Sequence, residues 1–559
     1  MVQKLELTWV NKNKLPEVEP RILMHDSTFD YGDPDSENIL IHGDNLLALK
    51  ALEQDFAGRV KCIYIDPPYN TGAAFEHYDD NLEHSIWLNL MAARLKILRN
   101  LLSKDGFFCC HIDDSEGHYL KILLDEIFER QNYLTTLYIR VRYPEKTLKE
   151  DMNFHKEIEQ IHIYRKTPAA IPNLDTAVVG HDKFIYRIVE LTQPSQTIEL
   201  GGKRVDIFQS GQYEVKTETG SKYGLKEIWA SGTILDGNSS GRFFRDFLTG
   251  RYEQDGYGVL YKVYGIGDDM LKYRYFTGPK REGATKGKYY QGVPADKMDA
   301  EKNVRKFPIE NFYDFAGSFG NCRQEGGVDF RSGKKPEILI HTLLKHFTNP
   351  GDLVLDSFLG SGTTAAVAHK MKRRWIGIEK NGSCHSHCIP RLQKVIDGEQ
   401  GGISKSVGWQ GGGGFKFYEL APTLIVKDKH GMEIFNPQYN PEMIAAAVAK
   451  HNGFTYSPDK DIFWKQGFSH ENSFIYTTTN YLTAKMLDEI HGDMKIFETL
   501  LICAPAFDIG IGKRYDNINI KKIPLSLLEK CEYGVDSYDL KIISPPTVDS
   551  EEWEDDSNE

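Results

Sequence analysis

The run Val60 to Ile65 stops at Asp66-Pro67-Pro68-Tyr69, with Asn70-Thr71-Gly72 behind it. Each proline fixes φ and removes a backbone donor, so two in a row end a central strand in a rigid turn. A carboxylate and an aromatic ring are thereby fixed at the edge of a sheet. A function built on them acts on a planar polar group that offers protons to acceptors and a face to a stacking ring.

The exocyclic amino group of a nucleobase meets that description. Its lone pair is delocalised into the ring, so methylating it requires acceptors that bind the N–H protons and re-aim the lone pair. Asp66 and the carbonyl of Pro67 are candidates for those acceptors, and Tyr69 for the stacking face. The bland alternative for four such residues is a structural turn.

A second motif lies far downstream. Asp352 to Asp356 reads as a short apolar strand, Ser357-Phe358-Leu359-Gly360-Ser361-Gly362 as a glycine-rich turn, and Thr363 to Met371 as an alanine-rich helix. Arg374 to Glu379 then reads as the next strand and closes a βαβ unit. This is the layout of a nucleoside site, in which glycines admit a close backbone approach and a strand-end acid such as Glu379 holds ribose hydroxyls. Gly360-Ser361-Gly362-Thr363-Thr364-Ala365 also fits the loose dinucleotide fingerprint, which leaves a nicotinamide or flavin oxidoreductase as a rival. Asp356 weighs against it. An acid just before the turn repels a pyrophosphate and suits the cationic methionine end of S-adenosylmethionine.

Together the two motifs resemble the amino-methylating DNA methyltransferases, which pair a D-P-P-Y catalytic loop with an F-x-G-x-G cofactor loop. Having the catalytic motif first is similar to the β class of that family. Gly43-Asp44-Asn45, Trp87 to Leu95 and Leu101 to Gly106 resemble further family segments, as do Phe154-His155-Lys156-Glu157 and Lys335-Pro336-Glu337. With Asp66 to Gly72 and Gly408 to Phe415, the chain is most similar to modification subunits of type III restriction systems and to similar solitary enzymes.

The resemblance implies an α/β fold: a Rossmann-like methyltransferase core with a mixed, mostly parallel sheet, an inserted target-recognition domain and a C-terminal α/β domain. It implies methyl transfer from S-adenosylmethionine to N6 of a flipped adenine in duplex DNA, with N4 of cytosine as the alternative target. Asp66, Pro67, Pro68 and Tyr69 are then catalytic, and Tyr69 and Phe154 face the base. Asp44, Lys335, Pro336, Asp356, Phe358, Gly360, Gly362, Thr363 and Glu379 hold the cofactor. The expected partners are double-stranded DNA, a second copy in a homodimer and a separate helicase-nuclease restriction subunit. A catalytically silent DNA-binding subunit is a further reading, disfavoured because Asp66 and Tyr69 are intact.

Net charge argues the other way. The 559 residues carry −12, where a DNA binder is expected to show a basic footprint. Part of the excess is local, because the tail from Asp549 to Glu559 has seven acids and no base. Basic side chains gather at Arg140, Arg142, Lys146, Lys149 and Lys156, and at Lys280, Arg281, Lys286 and Lys288 beside Tyr289 and Tyr290. These are the candidate DNA contacts; the alternative is a solvated face.

The landmarks divide the chain into an irregular arm (1–37), a catalytic half (38–166), a β-rich recognition insertion (167–332), a cofactor half (333–399) and a C-terminal domain (400–559). The run Gly411 to Gly414 reads as a linker or tight turn. Eight scattered cysteines read as reduced thiols. No stretch has the length and apolarity of a membrane span, and the expectation is a cytoplasmic protein. Cys384-His385-Ser386-His387-Cys388 lacks a second ligand pair at zinc-finger spacing, so no metal is expected. No phosphate-binding G-x-x-x-x-G-K motif occurs, so any restriction activity is expected on another polypeptide.

Overall fold

Strands that alternate apolar residues toward both faces need helices on both faces, and the chain supplies them in repeated β–α units. The computed structural model describes residues 6–14, 17–69, 80–143, 155–178, 180–233, 239–295, 298, 304–330 and 333–535. Lys146, Lys149, Phe154 and the acidic tail lie outside the described residues. Two compact units result, one of Met1–Asn173 with Glu310–Glu559, the other of Leu174–Ile309.

In the first unit the core elements are β1 (Leu23–His25), β2 (Ile39–His42), α1 (Asn45–Phe56), β3 (Val60–Ile65), α2 (Asp80–Leu101), β4 (Leu102–Ile112), α3 (Gly117–Phe128), β5 (Tyr133–Arg140) and β6 (Ile158–Arg165). After the second unit come β7 (Phe312–Asp314), α4 (Glu337–Phe347), β8 (Leu353–Asp356), α5 (Thr363–Lys370), β9 (Arg374–Glu379), α6 (Ile389–Ile396) and β10 (Gly414–Leu420). The strands lie in the order β1-β10-β2-β9-β8-β3-β4-β6-β5-β7. From β10 to β4 every neighbour is parallel; β6 runs against both β4 and β5, and β1 runs against β10.

Within β3, Ile63 and Ile65 pack with α1, α2 and α3, through Leu46, Leu49, Met91, Leu95 and Leu124. Cys62 and Tyr64 turn to the other face, against Leu339 and Leu343 of α4, Val367 of α5 and Leu392 of α6. The two-residue period of the strand thus builds two cores from one sequence run.

Three boundaries differ from the sequence reading. The arm before residue 38 supplies β1 and the pair Tyr31–Gly32, both on β10, because β10 would otherwise leave an open edge. The core sheet continues past residue 399, since β10 pairs with β2. Residues 310–330 belong to the first unit, with β7 paired to β5. The glycine run is a packed turn rather than a linker: Gly412 N donates to Ile396 O at 2.7 Å, and the buried Trp409 indole donates to Val395 O.

The second unit is β-rich. Six antiparallel strands lie in the order 196–200, 203–208, 260–264, 273–277, 287–291 and 226–230. The C-terminal part of the first unit forms its own five-stranded sheet, in which Ser473–Thr477, Thr499–Ala504 and Ile518–Lys522 are parallel. Among the described residues no helix is long and apolar enough to cross a membrane.

One charged group is sealed beneath the core sheet. Glu337, at the start of α4, has a side chain 0% exposed and meets Lys370 at 2.7 Å and Arg391 at 2.8 Å, both also 0% exposed. Arg391 reaches on to the Thr363 hydroxyl at 2.6 Å, joining α4, α5 and α6 at one point.

Candidate active site

β8 lies directly against β3, with Val354 opposite Cys62 and Leu355 opposite Ile63. The chain leaves β3 toward β4 and leaves β8 toward β9, in opposite directions across the sheet. Open α/β sheets bind ligands in the crevice at such a reversal, outside the carboxyl ends of the strands. A cavity of about 520 Å³ occupies it, lined by Asp66, Pro67, Pro68 and Tyr69 from one strand end and by Phe358 and Gly360 from the other. Asp44, Lys335 and Glu379 also face it.

Trp87 pins the Asp66 to Tyr69 turn by donating its indole N–H to Pro68 O at 2.8 Å. The Tyr69 hydroxyl donates to Asp66 Oδ1 at 2.8 Å and accepts from Lys335 Nζ at 2.7 Å. Lys335 Nζ lies 3.3 Å from Asp66 Oδ1 and 3.1 Å from Glu159 Oε2. Behind these, His111 Nε2 is 2.8 Å from Glu159 Oε2 and its Nδ1 meets the Tyr64 hydroxyl at 2.9 Å. Asp66 therefore fronts a chain of charged and polar groups running into the sheet.

Burial opposes charge on Glu159, but His111 and Lys335 overcome it and hold the carboxyl well below its usual range. Burial likewise opposes the Lys335 ammonium, which Asp66 and Glu159 nonetheless raise above the ordinary lysine value. Burial, followed by the charges of Asp66 and Glu159, pushes the Tyr69 phenol far up, so it stays neutral.

On the other side of the cavity the acids hold the loop. Glu379 accepts from Gly360 N at 2.8 Å, Asn381 N at 3.0 Å and the Ser383 hydroxyl at 2.9 Å. Gly360 and Gly362 have φ of 58° and 79°, left-handed values that a side chain resists. Asp44 caps α1 by accepting from Leu46 N at 3.0 Å, and meets Lys380 Nζ at 3.0 Å.

Asp356, Gly362, Thr363 and Pro336 are not among the residues lining the cavity. Asp356 is 2% exposed; one oxygen accepts from Phe358 N at 2.9 Å and the other from the Thr364 hydroxyl at 2.6 Å. It shapes the loop from behind. Thr363 turns to Arg391, and Pro336 stands at the N-cap of α4.

Burial, partly offset by those two hydrogen bonds and reinforced by Asp66 and Glu379, lifts the Asp356 pKa to about 7. Unfolded, it titrates near about 3.9. Between these values the folded state holds the extra proton, so this residue's contribution to stability falls as pH rises from about 4 to about 7 and then levels. Asp356→Asn escapes the titration. Its stability relative to the unsubstituted protein should therefore increase across that window, as read from urea midpoints at several pH values.

Of the candidate DNA contacts, Arg140 is paired with Glu157 at 3.3 Å and Asp314 at 3.2 Å. In the second unit Lys280, Arg281 and Lys286 are exposed, whereas Lys288 is paired with Glu227 at 2.5 Å and stacked over Trp229. Arg142 lines a second cavity of about 400 Å³ with Tyr143, Phe319 and Glu159, which shares Phe330, Gly333 and Lys335 with the first. Glu159 and Phe319 were not anticipated. The available signal for Glu159 was an acid inside a strand whose following residues, Ile161 to Tyr164, are all buried.

A family model described as DNA methylase matches residues 60–388. The probable type III restriction-modification enzyme HindVI Mod subunit of Haemophilus influenzae is 35% identical over 414 residues, covering 69% of this chain and 54% of that one. The type III restriction-modification enzyme EcoPI Mod subunit of Escherichia phage P1 is 26% identical over 447 residues, covering 71% and 64%. The chain thus spans between about half and two thirds of the length of these relatives. Among solved structures, the cytosine-N4-specific PvuII DNA methyltransferase aligns at 12% identity with a TM-score of 0.33, covering 70% of this chain and 94% of that one.

Proposed function

Because the chain belongs to the DNA methylase family, we propose that it transfers a methyl group from S-adenosylmethionine to the exocyclic N6 amino group of adenine in duplex DNA. The observation that carries the reading is the single cavity shared by the Asp66 to Tyr69 turn and the Phe358 to Gly360 loop.

The residues present fit the cofactor. Glu379 and Asp44 offer acceptors for hydroxyls, Ile378, Phe358 and Leu90 offer apolar surface, and Arg94 and Lys380 offer cations for a carboxylate. Bound there, S-adenosylmethionine supplies an electrophilic methyl carbon on a positively charged sulfur.

Asp66 accepts an N–H of the target amine and turns its lone pair toward the cofactor side. Lys335 and Glu159 fix the carboxylate's orientation, and Asp66 would take the proton the amine loses as its new N–C bond forms, the methyl carbon's bond to sulfur breaking with its electron pair left on a neutral thioether. Removing the base from the stack costs a few kcal/mol. The aromatic rings of Tyr69, Tyr143, Phe319 and Phe330 offset that by stacking; Phe154 is assigned the same task from its motif. Methylation of cytosine N4 uses the same turn and is the second reading.

We further place the protein in the cytoplasm as a homodimer that serves as the modification subunit beside a separate restriction subunit. The assignment of Asp356, Gly362, Thr363 and Pro336 to the cofactor side stands as support of the loop rather than contact. Arg142 and the exposed Lys280, Arg281 and Lys286 are the stronger candidates for phosphate contacts.

Mapping modified bases in DNA from cells expressing the chain tests the proposal. N6-methyladenine at one recurring sequence supports it; N4-methylcytosine moves the assignment to the second reading; unmodified DNA with NAD binding in place of S-adenosylmethionine binding returns the oxidoreductase. Sequence choice is assigned to the second unit, since the catalytic turn sees only the flipped base and discrimination needs groups reaching groove edges. Exchanging Leu174–Ile309 for the matching segment of a relative should change the methylated sequence and keep the modified atom. An active chimera that marks the original sequence refutes that assignment.

A further inference from the structure

Outside the catalytic cavity, three metal-capable side chains converge from separate elements. His42 is the last residue of β2, and Glu419 is its register partner on β10. His385 comes from the π-helical turn Cys384–Cys388 that precedes α6. One ligand atom from each lies within 4.8 Å of the others. His42 Nδ1 is 3.0 Å from Glu419 Oε1 and 2.9 Å from Oε2, and His385 Nε2 is 3.8 Å from Oε1.

The cluster is held rather than loose. The rings of His42 and His385 meet edge to face at 4.7 Å, and Phe29 and Phe417 pack on His385 at 5.0 and 5.4 Å. All three side chains are partly open, at 27%, 32% and 36%, so an ion has access and water has room to complete its coordination. Asp26 adds negative charge toward His385, and the adjacent His25–Asp30 pair brings a second carboxylate.

We propose that His42, His385 and Glu419 form a zinc site. Two imidazoles and one carboxylate match zinc's preference for nitrogen with oxygen and make a poor site for magnesium or calcium, which take oxygen alone. Cys384 and Cys388 of the turn are buried, whereas the three proposed ligands are partly open. The ion ties β2, β10 and the turn that follows Asn381 and Ser383, two residues that line the cofactor-side cavity. It also requires the Nδ1 or Nε2 lone pair of each histidine. This site stands independently of the methyl-transfer reading.

The test is calorimetric titration of zinc chloride into chelator-stripped protein that carries no polyhistidine tag. One equivalent per chain is expected, with a raised thermal midpoint. His385→Ala and Glu419→Gln should each weaken binding at least about tenfold, His387→Ala should leave it unchanged, and millimolar magnesium should not compete. Cobalt in place of zinc should give d–d absorption without an intense thiolate charge-transfer band. Absence of zinc binding by the folded protein, undiminished binding by both ligand variants, or a strong thiolate band would each overturn the proposal. If both variants fail to fold, the cobalt spectrum of the unsubstituted protein still decides between nitrogen and sulfur ligands.

Discussion

Asp66→Ala should lower methyl transfer on the order of 10²- to 10⁴-fold, the range for removing a positioned acid–base group, while leaving S-adenosylmethionine binding within a few-fold of the starting value. The separation of effects follows from the two-sided cavity. Asp66 stands at the end of β3, whereas the loop from Phe358 to Gly360 is held by Glu379 and Asp356 from the ends of β9 and β8. Single-turnover transfer of labelled methyl groups and calorimetric cofactor titration give the two readouts. Full activity in the variant would mean that another group orients the amine. Removing Asp66 also leaves Lys335 with Glu159 as its remaining ion-pair partner among the described residues, so Asp66→Asn, which keeps the shape, should be run beside it.

Glu337→Ala carries the largest expected loss of stability, about 3–5 kcal/mol, because it strands Lys370 and Arg391 in a dry interior. Lys370 keeps a second partner in Glu399, which lies 18% exposed, so the loss falls most heavily on Arg391. Glu337→Gln should recover part of the loss by retaining hydrogen-bond acceptance. Urea denaturation of the three proteins measures it; a change under about 1 kcal/mol would show that the network relaxes to admit water.

The turn at Asp66 to Tyr69 and the loop from Phe358 to Gly362 were legible as structure because proline and glycine act locally. Pro67 and Pro68 stop a strand wherever they stand, and the φ of Gly360 and Gly362 is a property of the turn they occupy. The strand endings they mark, Ile65 and Asp356, are those of β3 and β8. What surrounds Asp66 was not legible in the same way. Lys335 was marked by its motif, but Glu159 and His111 come from β6 and β4, and only the antiparallel placement of β6 beside β4 brings these two together. No short window of sequence contains that register.

The same limit holds for the partners of Arg140: its pairing with Glu157 and Asp314 joins residues that no local window brings together. The two hydrogen bonds that turn Asp356 inward come from the loop and helix that follow it, and form only once these are folded. Pairing with β2 and β1 could not be read from the glycines of 408–415, because a glycine run looks alike whether it swings freely or packs against Ile396 and His369.

The adjacency of β3 and β8 also sets a timetable for biosynthesis. Asn45 and Ser357, joined by a hydrogen bond in the finished protein, are 312 positions apart. At translation rates of about 5–20 residues per second, roughly 15–60 s pass before the ribosome delivers the partner. Through that interval β3 is a bare edge, apolar on both faces and rich in unmet backbone groups, at the middle of what becomes the sheet. A ribosome stalled anywhere in the second unit would hold a nascent half-sheet primed to pair with another copy of itself, so yield in cells should respond to chaperone supply and elongation speed far more than the stability of the completed protein would indicate.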